Sequence, residues 1–492
     1  MKPQRERHVE GEEPLEGLDP QDWPAFRAQA HEILDHVIDY VEGIRERPVW
    51  QPLPDAERAL IRGESLPRRG VSLREVHAQF NRLVVPYTVG NVHPGFMAWV
   101  HGGGNVFGML GELLASGLNA NLGGRDHAPI EVERLVVRWA ADLFGFPEAA
   151  GGVLVTGTSM ANLMAVLAAR THASPQVKQR GVSGPSLVAY TSAAAHGCIA
   201  RAMDMSGLGV DALRVVPVGA DHRLCLSALS EAIERDRAVG LRPFLVVATA
   251  GTVETGAIDD LVRIGELCSR EALWFHIDGA FGALGMLSRS RSGLFRGIER
   301  ADSVAFDFHK WGQVPYDAGC LVVRDQAVLL RTFAAEQSYL RRESRGLAAG
   351  APWPCDLGPD LSRGFRALKV WFTLKVIGAD RLGAAIDLTC DLASELGRRV
   401  DAEADLERIA PIALNIVCFR YRFARHIDRE NAALAIDLQL SGMAATSTAT
   451  IDGKLALRCA IFNHRTRRHD IDAMIDTVLE LGRARARRLA ET

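Results

Sequence analysis

Lysine is scarce in this chain: Lys2, Lys178, Lys310, Lys369, Lys375 and Lys454 are six of 57 basic residues among 492. Chemistry that needs a nucleophilic amine has few places to occur, because an arginine guanidinium stays protonated in any protein. Cysteine is sparse too, and unpatterned. Cys198, Cys225, Cys268, Cys320, Cys355, Cys390, Cys418 and Cys459 form no CxxC pair. No metal site is expected, and these cysteines read as buried thiols of a reducing compartment. No apolar run approaches the ~20 residues of a membrane span, and the charged N-terminus lacks a signal-type apolar core. A cytoplasmic protein without a membrane segment is the expectation. The formal net charge of −3 gives no electrostatic reason to bind nucleic acid or an anionic membrane, and the basic stretches Arg465–Arg468 and Arg483–Arg488 read as solvated helix faces.

What is present is a core-forming composition, 48% hydrophobic, enough for one large domain with smaller flanking ones. Residues 1–18, rich in Glu, Arg and Pro, are expected to form a mobile tail, and Asp19-Pro20 marks a helix start. Phe26, Ile33, Leu34, Val37, Val41 and Ile44 recur at helical spacing, so the helical segment 19–90 has an apolar face that requires a partner surface. From about Gly151 to Val323 strands and helices alternate, with Leu187–Tyr190, Phe244–Ala248, Leu273–Ile277, Ser303–Phe306 and Leu321–Val323 as strands. This alternation predicts an α/β fold, a mainly parallel sheet between helices that takes ligands at the carboxyl ends of its strands. The large domain is expected over 91–380, and a smaller α+β unit over 381–492, with strands Leu414–Phe419 and Lys454–Cys459 and a closing helix Asp470–Arg487.

Three strand ends carry chemistry. Lys310, in Asp307-Phe308-His309-Lys310-Trp311, follows the strand Ser303–Phe306. A lysine there can lose its proton by desolvation and condense with a carbonyl, or it can simply snorkel from the strand end. Asp278 follows Leu273–Ile277; a carboxylate in that position can hydrogen-bond a pyridine nitrogen or cap a loop. Gly152–Val155 leads through Thr156-Gly157-Thr158-Ser159 into the helical run Met160–Arg170. The free N–H groups of that first helical turn, with the Thr158 and Ser159 hydroxyls, suit a phosphate, although Ser159 serves equally as an N-cap.

These residues resemble the group II pyridoxal phosphate (PLP)-dependent decarboxylases, the family that includes aromatic-L-amino-acid decarboxylase. The resemblance begins at His93-Pro94-Gly95-Phe96 and continues through Gly157–Leu163, Ala195-His196-Gly197-Cys198, Thr249–Asp260, His276–Gly282 and Asp307–Trp311 to Phe365–Trp371. The His309-Lys310-Trp311 and Thr249–Asp260 segments are its specific parts. It implies PLP-dependent transferase fold type I, like aspartate aminotransferase, in a homodimer whose N-terminal helices pack across the interface. It also implies a Schiff base on Lys310, with Asp278 on the ring nitrogen, His196 stacked on the ring, Thr252 near it and Ala280 beneath it. Thr158, Ser159 and His309 fall to the phosphate or substrate. Asp307 departs from the asparagine of animal members and would repel phosphate unless it faces another donor or is protonated.

Tyr339 matches the tyrosine of the family's mobile catalytic loop, which reprotonates the substrate carbon; its presence points to amine and CO₂ as products, and the alternative is oxidative conversion to an aldehyde. The resemblance makes the substrate an amino acid, with an aromatic one expected. Trp99 suits an aromatic side chain. His101, His127 and Arg363 are further candidate substrate contacts that point to a more polar pocket, and an acidic or polar amino acid is the alternative. Each is equally plausible as a structural residue.

Overall fold

The computed structural model describes residues 17–184, 186–335 and 341–491. The expected tail falls almost wholly outside them, and so does Tyr339. Residues 17–44 and 53–88 make one compact unit, and residues 45–52 with 89 onward make a second.

In the first unit the opening helix runs Trp23–Glu42 rather than from Pro20, because the Asp22 carboxylate accepts the Ala25 amide at 2.9 Å and Pro24 sits in the first turn. Helices Asp55–Gly63 and Leu73–Leu83 follow, the latter opened by a reciprocal Ser72–Glu75 capping box. None of these three helices has a buried residue. Of the apolar face expected from the spacing, Phe26 is exposed, Ile33, Leu34, Val37 and Val41 are half-buried and Ile44 is buried, while Trp23, Ile38, Leu60, Val76 and Phe80 are exposed beside it.

The second unit contains, in chain order, strands β1 (Phe96–Met97), β2 (Gly151–Val155), β3 (Leu187–Ser192), β4 (Leu213–Val216), β5 (Arg242–Thr249), β6 (Trp274–Asp278), β7 (Ser303–Asp307), β8 (Gly319–Val323), β9 (Leu406–Arg408), β10 (Ile416–Tyr421), β11 (Ala445–Ile451) and β12 (Lys454–Ala460). The larger sheet has the order β2-β8-β7-β6-β5-β3-β4. β7, β6, β5, β3 and β4 are mutually parallel, while β8 runs against both β2 and β7. The reversal has a local cause: the eleven-residue loop 308–318 that separates β7 from β8 is too short for a helical crossover.

Strands β5, β6 and β7 are buried on both faces almost throughout, which is why they read as continuous apolar runs. On one face Phe306 packs edge-on to Phe144 and Phe308, with ring centroids 5.2 and 4.9 Å apart; truncating so buried a ring to alanine costs about 3–5 kcal/mol. The other face is covered by the helix Thr158–Ala173, through Ala161, Met164, Ala165 and Ala168.

The C-terminal sheet has the order β1-β11-β12-β10-β9, with helices Ala379–Ala402, Ile427–Leu440 and Arg468–Glu491 packed into its core. One of its edge strands comes from far outside the 381–492 segment. Phe96 and Met97 pair in parallel with Ala445 and Thr446, so the loop after β1 is anchored to the C-terminal sheet. Among the described residues no helix is long and apolar enough to cross a membrane.

Candidate active site

Because β5, β6 and β7 are parallel neighbours, Thr249, Asp278 and Asp307 end at one edge of the sheet, and Lys310 follows three residues later. There a cavity of about 380 Å³ is lined by Trp99, His101, Thr158, Ser159, His196, Asp278, Ala280, Asp307, His309 and Lys310, among others. Ten of the residues singled out in the sequence therefore meet at one place.

Asp278 is buried, and loss of solvent pushes its carboxyl up, while the Lys310 charge, the Ala280 N–H and the Asn162 amide pull it back. Ala280 donates to its Oδ1 at 3.1 Å and Asn162 Nδ2 to its Oδ2 at 3.1 Å. Cys198 Sγ lies 3.9 Å from the same Oδ2 and 3.2 Å from Asn162 Nδ2. A buried acid with its far side already hydrogen-bonded, in the same cavity as a lysine amine, suits a pyridinium nitrogen.

The first turn of the helix Thr158–Ala173 lies at the cavity, with chemistry suited to an anion. Asp307, beside that turn, faces donors. Thr158 gives it a main-chain N–H at 2.8 Å and a hydroxyl at 2.6 Å, and Lys310 Nζ lies 2.9 Å away. Ser159, one residue further on, is exposed at the cavity wall and remains for a phosphate. His309 is committed to the loop: its Nδ1 accepts the Ala318 N–H at 3.0 Å, and its ring lies 4.2 Å from that of Tyr316. Burial, ahead of all other causes, holds its imidazole below the usual range. His196 is exposed at the cavity and accepts the Cys198 N–H at 3.2 Å.

The wall opposite is the loop after β1. Gly102 brings its backbone so close that a Cβ there would lie 2.3 Å from the His309 carbonyl oxygen and 2.5 Å from that of Lys310. Glycine at this point of the run is thus a packing requirement. Trp99 and His101 project from this loop, His101 stacking on Phe96 and meeting Tyr316 edge-on at 6.1 Å. Burial, then the charge of Lys310, holds His101 below the ordinary histidine range.

Three expectations do not meet at this cavity. Arg363 is buried elsewhere: Nη1 lies 3.1 Å from Glu133 Oε2, Nη2 also pairs with Glu133, and the Leu122 and Leu154 carbonyls take further bonds. These bonds commit its guanidinium to structure. His127 is the N-cap residue of the helix Ala128–Leu143 and is not among the cavity's lining residues in this chain. Thr252 is fully buried and turned into its own loop, its hydroxyl 3.0 Å from Thr255 Oγ1 and accepting the Ala257 N–H.

Two lining residues carry no signal in the sequence. Tyr316 belongs to no motif of its own. Arg458, in β12, crosses the core to donate to the carbonyls of Val253 and Ala98 at 2.7 and 2.9 Å and to Ser447 Oγ at 3.1 Å. Among the described residues its buried Nη2 has no partner and no carboxylate pairs with it.

A model of the pyridoxal-dependent decarboxylase conserved domain matches residues 54–422. An aromatic-L-amino-acid decarboxylase of Bacillus atrophaeus is 33% identical over 450 residues, covering 90% of this chain and 92% of its own. Histidine decarboxylase of Drosophila melanogaster is 32% identical over 92% of this chain, which spans 54% of that relative's length. Among solved structures, mouse CSAD superposes with a TM-score of 0.87 at 26% identity, over 94% of this chain and 99% of that one. The fold is fold type I, and the chemistry of its buried acid, amine and helix terminus agrees with these similarities: the chain belongs to the pyridoxal-dependent decarboxylase family and is a PLP-dependent amino-acid decarboxylase.

Proposed function

We propose that this decarboxylase acts on an aromatic L-amino acid, releases the amine and CO₂, and works as a homodimer. The observation that carries the substrate class is the wall of Trp99, His101 and Tyr316 on the Lys310 cavity, which offers flat faces to an aromatic ring and two polar edges to its substituents. The unpartnered Nη2 of Arg458 suits the substrate carboxylate, since a buried guanidinium nitrogen lacking an acceptor gains a charge-assisted bond when one arrives. The uncovered apolar helices of residues 17–44 and 53–88 support the dimer.

Bound PLP supplies an electron sink for the pair of electrons left when the carboxylate departs. In this reading Lys310 holds the cofactor through its amine, and Asp278 keeps the ring nitrogen protonated. Ser159 and the helix terminus take the phosphate, and the exposed imidazole of His196 lies against the ring. Tyr339, matched by the resemblance to the loop tyrosine, returns a proton to the substrate carbon.

A product-resolved assay tests the reading. PLP-loaded protein is given tryptophan, phenylalanine, tyrosine, dopa, histidine, glutamate and aspartate in turn, and amine, CO₂, aldehyde and peroxide are measured together. Equal amine and CO₂ from an aromatic substrate, lost in Lys310→Ala, is the expected result. Aldehyde with peroxide would move the enzyme to oxidative chemistry, and turnover of glutamate or aspartate alone would overturn the substrate class.

A further inference from the structure

Behind Asp278 runs a line of buried polar side chains that the cavity does not see. Asn162, His276 and Ser303 are completely buried and Trp274 is almost so. Trp274 Nε1 lies 2.9 Å from Ser303 Oγ, Ser303 Oγ lies 2.8 Å from His276 Nδ1, His276 Nε2 lies 2.8 Å from Asn162 Oδ1, and Asn162 Nδ2 lies 3.1 Å from Asp278 Oδ2.

The direction of every bond is fixed from its ends. An indole nitrogen only donates and a carboxylate only accepts. Asn162 must turn its NH₂ toward Asp278, so its oxygen faces His276 and requires a proton on Nε2. Nδ1 is then bare and accepts the Ser303 hydroxyl, whose oxygen accepts from Trp274. The opposite tautomer has a competing acceptor, the Ser303 carbonyl oxygen 3.2 Å from Nδ1. It would set His276 Nε2 and Asn162 Oδ1 lone pair against lone pair.

We propose that Trp274, Ser303, His276 and Asn162 form a one-way hydrogen-bond relay that aims four donors in series at Asp278 and holds it as the carboxylate that binds the PLP ring nitrogen. The four are positioning residues: none lies against substrate, and each acts through the next. Burial drives His276 down to about 3, in keeping with a neutral ring in the middle of the chain. Aligned dipoles in a water-free interior reinforce one another and offset the desolvation that pushes Asp278 up. The inference rests on the cofactor and not on which amino acid is decarboxylated.

Histidine-selective ¹⁵N NMR of the holoenzyme, with the His276 signal assigned by its loss in His276→Gln, reads the relay directly. The expected state is neutral with the proton on Nε2, unchanged between pH 7 and pH 5. A proton on Nδ1, or on both nitrogens, would overturn the proposal without any further variant. Ser303→Ala removes the donor to Nδ1, while Asn162 still presents its oxygen to His276, so the proton is expected to stay on Nε2, the bare Nδ1 to shift as it loses its hydrogen bond, and the dissociation constant for PLP to rise roughly tenfold. If PLP binding weakens while the Nδ1 signal keeps its position, the serine acts by packing alone and the relay is wrong. An unchanged PLP dissociation constant in Ser303→Ala would overturn the relay as well.

Discussion

Thr158 gives both its main-chain N–H and its hydroxyl to the carboxylate of Asp307, at 2.8 and 2.6 Å. The acid therefore takes up the first amide of the helix proposed to receive the cofactor phosphate, and in that reading the phosphate relies on Ser159 and the amides beyond Thr158. Asp307→Ala strands a buried amide and is expected to lower stability by about 1–3 kcal/mol. Asp307→Asn keeps an acceptor for Thr158 and removes a charge beside the phosphate dianion, so PLP should bind several-fold more tightly. Urea unfolding and a PLP titration of the two variants check this; weaker PLP binding by the asparagine variant would contradict it.

Arg458 should govern substrate binding more than turnover. Arg458→Gln retains donors for some of the carbonyl contacts but offers the substrate no charge, and KM is expected to rise about tenfold or more with a smaller change in kcat. Steady-state kinetics on the best aromatic substrate decide it, and an unchanged KM would remove Arg458 from the carboxylate role.

Arg363 and Glu133 behave as a structural pair. Arg363→Ala leaves the Glu133 carboxylate buried and uncompensated, which should cost about 3–5 kcal/mol. Glu133 also accepts the Leu154 N–H at 3.0 Å, so the loss is transmitted into β2. Thermal unfolding should show a large drop, while the KM of the folded enzyme stays near that of the parent.

Acid should weaken the fold before it reaches the carboxylates. His276 and His464 are held down to about 3 by burial, so between pH 6.5 and that value the unfolded chain binds protons that the folded chain refuses. Stability contributed by these rings is complete above the ordinary histidine range and is lost as pH falls, by ~2 kcal/mol for each ring at pH 5. Denaturant midpoints measured from pH 8 to pH 5 should decline, and His464→Gln should flatten part of the slope.

The site was legible in the sequence wherever its residues stand at strand ends. Asp278, Lys310 and Thr158 each follow a short apolar run, and the parallel sheet then gathers them at one edge. Arg458 was not legible, because the carbonyls of Ala98 and Val253 that aim it come from segments hundreds of residues away. Arg363 shows the reverse error: a charge in a linear sequence looks the same whether it faces a ligand or a buried glutamate. Thr252 sits in a specific motif, yet its hydroxyl serves the turn that makes the motif. Edge strand β1 is two residues long, too short to carry a periodicity, so its union with the C-terminal sheet could not be foreseen.

That union has a mechanical result. β1 leads into the loop carrying Trp99, and β12 carries Arg458, whose Nη1 is tied to the Ala98 carbonyl at 2.9 Å. Whatever small rotation the C-terminal sheet undergoes, Trp99 and Arg458 travel together. In the proposed reading the gap between them is a fixed caliper, gauging how far an amino acid's side chain stands from its carboxylate.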